Sequence, residues 1–130
     1  MKKSYLLFAG ALSLAGCMGT NVMTGGTPET ATVEELCKIV HWERNGFDYG
    51  SDAAFAELTK RGLFTARELR GVRAGLPSIG DSEIAAQCSR GFFFEDVNTT
   101  ATARSVRKQY VVALGFYIYV ENGVVTAIQT

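Results

Sequence analysis

The sequence predicts an α+β domain in which several short helices precede, and pack on, a three-stranded antiparallel meander. Three observations carry this. Thr-x-x-Glu capping boxes at Thr32 and Thr65 open helical patterns. Gly62, Gly75 and Gly91 stand where such patterns end. From Val106 onward, β-branched and aromatic residues alternate around an Asn122-Gly123 pair, the preferred dipeptide of a type I′ hairpin.

In the first helix the Thr32 hydroxyl accepts from the Glu35 amide while the Glu35 carboxylate reaches back to the Thr32 amide. Val33, Leu36, Cys37 and Val40 then share one face, and Asn45-Gly46 is the stop. A second helix fits Ser51 to Arg61, capped by Ser51 and buried through Phe55 and Leu58. Gly62 ends it in the left-handed region, with Leu63 expected to pack on Leu58. Thr65 and Glu68 cap the third helix, Phe64 and Leu69 occupy the staple positions, and Leu69, Val72 and Leu76 face the core until Gly75 and Pro77 end the pattern. A fourth helix runs from about Ser82 to Arg90 with Ile84 and Cys88 inward. Phe92 to Phe94 reads as a short edge piece, and Asn98 to Ala103 as a polar, Thr-rich loop. Leu114-Gly115 and Asn122-Gly123 are the meander's turns. Phe116, Ile118 and Val120 point at the helices, which sends Tyr117 and Tyr119 to the opposite face.

The N-terminus has a different character. Lys2 and Lys3 precede an apolar run from Tyr5 to Leu14, the layout of a secretory signal. The run is about half the roughly 20 residues that a transmembrane helix needs. Leu14-Ala15-Gly16-Cys17 resembles the bacterial lipobox, which implies that residues 1–16 are removed and Cys17 becomes a diacylated first residue. Two chains suffice for stable anchoring, where one holds only marginally. Met18 stands where lipoproteins retained at the inner membrane often carry Asp, implying a periplasm-facing position at the outer membrane. Residues 17–31 read as the lipidated cysteine and a flexible tether, and residues 32–130 as one domain. The 14 residues after Cys17 span at most about 50 Å when extended.

Charge and motifs exclude several functions. The chain of 130 residues balances 13 Lys plus Arg against 13 Asp plus Glu, so no basic field for nucleic acid arises. Arg67, Arg70 and Arg73 read as a solvated helix face. His41 is the only histidine, too little for a metal site. No phosphate loop or nucleophile elbow is present. The acidic pairs Asp81 with Glu83 and Glu95 with Asp96 read as a helix start and a turn rather than acid–base groups. The expectation is a non-enzymatic module without metal or cofactor. Lipidation of Cys17 leaves Cys37 and Cys88, either bridged, as an oxidising compartment permits, or two buried thiols that never meet.

Ile79-Gly80-Asp81-Ser82, Gly91, Asn98-Thr99-Thr100, Gln109-Tyr110-Val111 and Tyr119-Val120-Glu121-Asn122-Gly123-Val124-Val125 resemble the SmpA/OmlA (BamE-like) group of outer-membrane assembly lipoproteins. There a helix after an Ile-x-x-Gly-type opening leads into a meander ending in a Tyr-x-x-x-x-Gly-x-Val hairpin. The resemblance covers Ile79 to Thr130; Asp81 stands where the group usually has Met and Phe92 where Pro commonly follows the helix. It implies a scaffolding lipoprotein that binds an envelope protein, with Tyr117, Tyr119, Thr99 and Thr100 as the expected contact surface. Alternatively those tyrosines stack with Tyr110 and serve the sheet. The layout also resembles β-lactamase-inhibitor-type modules, whose partner would be a periplasmic protein.

If Cys17 carries the lipid, Cys17→Ala leaves a species that no longer sediments with membranes. Unchanged fractionation, with no acyl label on the wild type, would refute the anchor.

Overall fold

The computed structural model describes residues 26–130; the residues read as a signal segment, Cys17 and the stretch read as a tether up to residue 25 lie outside it. Four α-helices are followed by four strands: α1 (Val33–Glu43), α2 (Ser51–Arg61), α3 (Ala66–Ala74), α4 (Glu83–Ser89), β1 (Asp96–Ala101), β2 (Val106–Ala113), β3 (Phe116–Glu121) and β4 (Val124–Gln129). The class is α+β, and the sheet is an antiparallel meander in the order β1-β2-β3-β4, one strand more than predicted.

Both capping boxes form. Thr32 Oγ1 accepts from the Glu35 amide at 3.1 Å, and the Thr32 amide donates to Glu35 Oε2 at 3.0 Å. Thr65 and Glu68 repeat the pattern. Phe64 is buried and Leu69 packs against the same cluster, as staple positions should. The cap of α2 is not Ser51. Gly50 holds that position in the left-handed region, and Asp48 Oδ1 accepts from the Gly50 and Ser51 amides at 2.9 and 3.0 Å. A carboxylate two residues upstream thus satisfies the first helical donors, and Ser51 is buried inside the helix start. Leu63 and Leu76 are exposed instead of inward. Each lies just past a left-handed glycine that swings the chain away from the helix axis.

Packing starts before Thr32. A 3-10 turn at Pro28–Thr30 leads to buried Ala31, and the Arg61 guanidinium donates to the carbonyls of Pro28, Glu29 and Ala31. The end of the segment read as tether therefore belongs to the domain.

Two cores share one wall. Leu36, Ile39, Val40, Ala54, Leu58, Phe64 and Val72 build a core among the helices, completed from α4 by Ala85 and Cys88. Tyr110, Val112, Ile118, Val120 and Val125 build a second on the inner sheet face, completed from α4 by Ala86. Of the four helices, only α4 contributes buried residues to the sheet core. Cys37 and Cys88 are disulfide-bonded with Cα atoms 5.0 Å apart, pinning α4 to α1. A bulge between Tyr119 and Val120 on the β4 side shifts the alternation, so Val125 and Ile128, three apart, both face inward.

Residues Asn98–Ala101, read as part of a loop, lie in β1, and Phe92–Phe94 is not a strand. Every β1 residue is exposed, because the strand lies at the sheet edge beyond the helices. Its sequence therefore carries no hydrophobic alternation to read. Phe92 instead takes φ 61° in the turn after α4, a conformation the proline ring forbids.

Removing the bridge by Cys37→Ala with Cys88→Ala frees a 51-residue separation in the unfolded chain. The expected loss is about 2–4 kcal/mol of unfolding free energy, read by urea denaturation and reproduced by reducing the wild type. Equal midpoints with and without reductant would show that the bridge does not hold the two cores together.

Candidate protein-binding surface

Among the described residues, the exposed aromatic rings Phe47, Tyr49 and Phe93 gather where α1 ends. Phe47 donates its amide to the Trp42 carbonyl at 3.0 Å, and Asn45 Nδ2 donates to the His41 carbonyl at 3.3 Å, so the loop after α1 folds back over the helix end. Gly46, at φ 89°, permits the reversal. Phe47 thereby meets Trp42 edge-on at 5.9 Å, and Tyr49 stacks parallel on Phe47 at 6.3 Å. From the turn after α4, Phe93 packs against Trp42 at 5.6 Å and His41 at 5.1 Å. Phe47, Tyr49 and Phe93 remain 51%, 43% and 41% exposed. Lys38 lies over the Phe93 ring at 5.8 Å.

Polar groups beneath the rings lock the cluster. Arg44, at the C-cap of α1, donates to the carbonyls of Val72, Arg73 and Ser89, the C-terminal ends of α3 and α4, and to His41 Nδ1 at 2.9 Å. Burial, then the charges of Arg44 and Arg90, push His41 below its ordinary value, so at pH 7 it is a neutral imidazole accepting at Nδ1. Gly75 and Gly91 make room: a Cβ on Gly75 would lie 2.5 Å from Arg44 Nε, and one on Gly91 would lie 2.6 Å from His41 Cβ. Sequence reasoning passed over this cluster because its rings come from three separated segments. The signal available was the density of aromatics within the polar stretch Asn45-Gly46-Phe47-Asp48-Tyr49.

The expected contact residues on the sheet divide between its faces. Tyr119 and Thr100 line a shallow groove of about 500 Å³ on the outer face, with Asn98, Arg107 and Glu121. Tyr117 lies beside Tyr119, ring centroids 6.5 Å apart, outside the groove lining. Thr99 pairs with Lys108 on the inner side of β1, so it does not join Thr100. The Tyr119 hydroxyl already accepts from Gln109 Nε2 at 3.2 Å and donates to Gln129 Oε1 at 3.0 Å, while Asn98 Nδ2 donates to Gln109 Oε1 at 3.0 Å. This ladder crosses all four strands. Tyr110 faces inward against Phe94 and does not stack with Tyr117 or Tyr119.

The acidic residues serve the fold. Asp81, almost fully buried, pairs with Arg67 at 2.8 Å and accepts from the Ser78 amide at 2.7 Å. Glu83 accepts from Lys108 Nζ at 2.8 Å and from the Tyr110 hydroxyl. Burial raises the Glu83 carboxyl, but hydrogen bonds from Lys108 and Tyr110 outweigh it and hold the group below its ordinary value. Burial and the neighbouring Glu83 push Tyr110 upward. The expected solvated arginine face is only partly so: Arg67 holds Asp81, and Arg73 pairs with Asp52 at 2.5 Å and covers the Phe55 ring at 4.7 Å.

No family model, curated protein or solved structure matches this chain.

Because the folded-state value of Glu83 lies below its ordinary one of about 4.5, its contribution to stability is present above that pH and is lost as pH falls through the folded value. Glu83→Gln should therefore lower the urea midpoint at pH 7, with the gap to wild type narrowing as pH falls below the ordinary value of 4.5. A gap constant with pH would refute the charged pairing with Lys108 and Tyr110.

Proposed function

We propose that this chain is a non-enzymatic protein-binding lipoprotein of the bacterial envelope, anchored at the outer membrane through Cys17 and facing the periplasm. Its partner is an envelope protein, and the BamE-like resemblance favours outer-membrane assembly as the process. The observation that carries the reading is the aromatic cluster in which exposed Phe47, Tyr49 and Phe93 gather around half-buried Trp42. Large rings are costly to leave wet, and Trp and Tyr are enriched among residues that dominate binding energy. Here Trp42 and Phe93 pack on His41, which Arg44 holds, and Phe47 packs on Trp42, so part of the surface is ordered before any partner arrives and the ordering cost of association is reduced. The disulfide supports export to an oxidising compartment. No helix among the described residues is long and apolar enough to cross a membrane, so the lipid is the attachment this reading relies on.

The outer sheet face is the competing surface, favoured by the groove at Tyr119 and Thr100. Affinity capture from membrane extract separates the two. Phe47→Ser with Tyr49→Ser should keep the melting temperature within a few degrees and reduce capture at least about 30-fold, the loss of a residue contributing 2 kcal/mol or more. Tyr117→Ser with Tyr119→Ser should break the Gln109–Tyr119–Gln129 ladder, lower stability and leave capture intact. The reverse pattern would move the interface to the sheet, and capture of a single periplasmic hydrolase would favour the inhibitor reading. Full capture by both variants would overturn the proposed surfaces.

A further inference from the structure

The two edges of the sheet are treated differently by the chain. The β4 edge is covered at its start: the Gly80 amide donates to the Val125 carbonyl, the Val125 amide to the Asp81 carbonyl, and the Glu83 amide to the Gly123 carbonyl, each at 2.9 Å. Among the described residues, no segment bonds to the outer edge of β1 in this way. The bond from the Thr102 amide to the Ser105 carbonyl, 2.8 Å, sets the phase of the β1–β2 ladder. Even-numbered residues of β1 bond to β2, so the backbone groups of Val97, Thr99 and Ala101 point outward. The strand lacks the lysines, proline or bulge that commonly blunt an edge. The one device present is Asp96, whose Oδ1 takes the Val97 amide at 2.8 Å.

Two features select the partner. In an antiparallel pair with Thr99 opposite its own copy, Val97 falls opposite Ala101, so all three outward-pointing residues pair with outward-pointing residues. The Thr99 pair and the two Ala101-to-Val97 bonds form without displacing Asp96. In the same register Glu95 and Asp96 lie opposite Ala103 and Thr102, next to Arg104 at the hairpin tip. Acidic end thus meets basic end twice, and no like charges face each other. Val97, opposite Tyr110, and Val106, opposite Ala101, are both exposed on the inner face; in this register Val97 of each copy lies opposite Ala101 of the other, beside its Val106, so the two apolar ends gain neighbours.

We propose that β1 pairs with β1 of a second copy about a two-fold axis at Thr99, making one continuous eight-stranded sheet. The aromatic clusters of the two copies then lie on one assembly, which presents the partner with paired sites. The pairing itself stands on the β1 edge alone and does not depend on the proposed function.

The full chain in the membranes of the producing cell supplies the test. An antiparallel self-pair holds opposed Cα atoms about 4.5–5.5 Å apart, within disulfide range. Thr99→Cys should therefore give a disulfide-linked dimer on mild oxidation. Asn98→Cys and Thr100→Cys, opposite each other in this register, should link only when co-expressed. Thr99→Pro added to that co-expressed pair should abolish its link while far-ultraviolet circular dichroism stays unchanged, since the lost amide points away from β2. Asp96→Ala should raise the yield by releasing the Val97 amide. The proposal fails if folded Thr99→Cys reacts with maleimide but forms no dimer. It fails equally if all three positions cross-link alike, as in random collision, or if Thr99→Cys links to a different protein, which would make the edge an acceptor for a foreign strand.

Discussion

The rest of the molecule depends on how α4 is held. Seven residues form too short a helix to persist in water unaided, yet this one is the wall between two cores. Ala85 and Cys88 face the helices and Ala86 faces the sheet, small side chains that let both layers come close. Its position is set from every side. The disulfide joins it to α1, Ser82 caps it through the Ala85 amide, Glu68 accepts from the Ser82 amide and hydroxyl, and Arg44 takes the Ser89 carbonyl. Glu68 is the economical link, since one carboxylate completes the cap of α3 and orders the cap of α4.

Arginines do much of the remaining tertiary work by closing helix ends. Arg44 binds carbonyls at the ends of α3 and α4, Arg90 binds the Gly75 carbonyl while covering the Phe116 ring, and Arg61 gathers the carbonyls of the N-terminal turn. A cation at a helix C-terminus answers both the unpaired carbonyls and the negative end of the dipole. The planar guanidinium reaches several carbonyls at once, which lysine would not. The proposed binding surface rests on the same contacts: Arg44 donates to His41 Nδ1, and His41 with Phe93 and Trp42 forms the floor of the aromatic cluster.

What could be read from the residues was local. The capping boxes at Thr32 and Thr65, the left-handed ends at Gly62 and Gly75, and the Asn122-Gly123 turn each involve groups within a few residues, so short-range chemistry determined them. The inward set of β3, Ile118 and Val120, followed from strand alternation for the same reason. Number and face made Cys37 and Cys88 candidates for a bridge and left two separate thiols equally readable; only the approach of α1 and α4 joined them.

Tertiary structure alone decided the remainder, because those features depend on groups far apart in the chain. The strand character of β1 was hidden by its position: with neither face covered, its residues had no reason to alternate. Leu63 and Leu76 look like core residues by type and spacing, and only the direction of the chain after each glycine leaves them outside. The aromatic cluster, the carbonyl-binding arginines and the open β1 edge arise from distant segments or from what fails to cover a strand. Sequence determined where each element starts and stops through hydrogen bonds within a turn or two; packing decided which surfaces stayed exposed, since exposure belongs to the assembled layers and to no single segment.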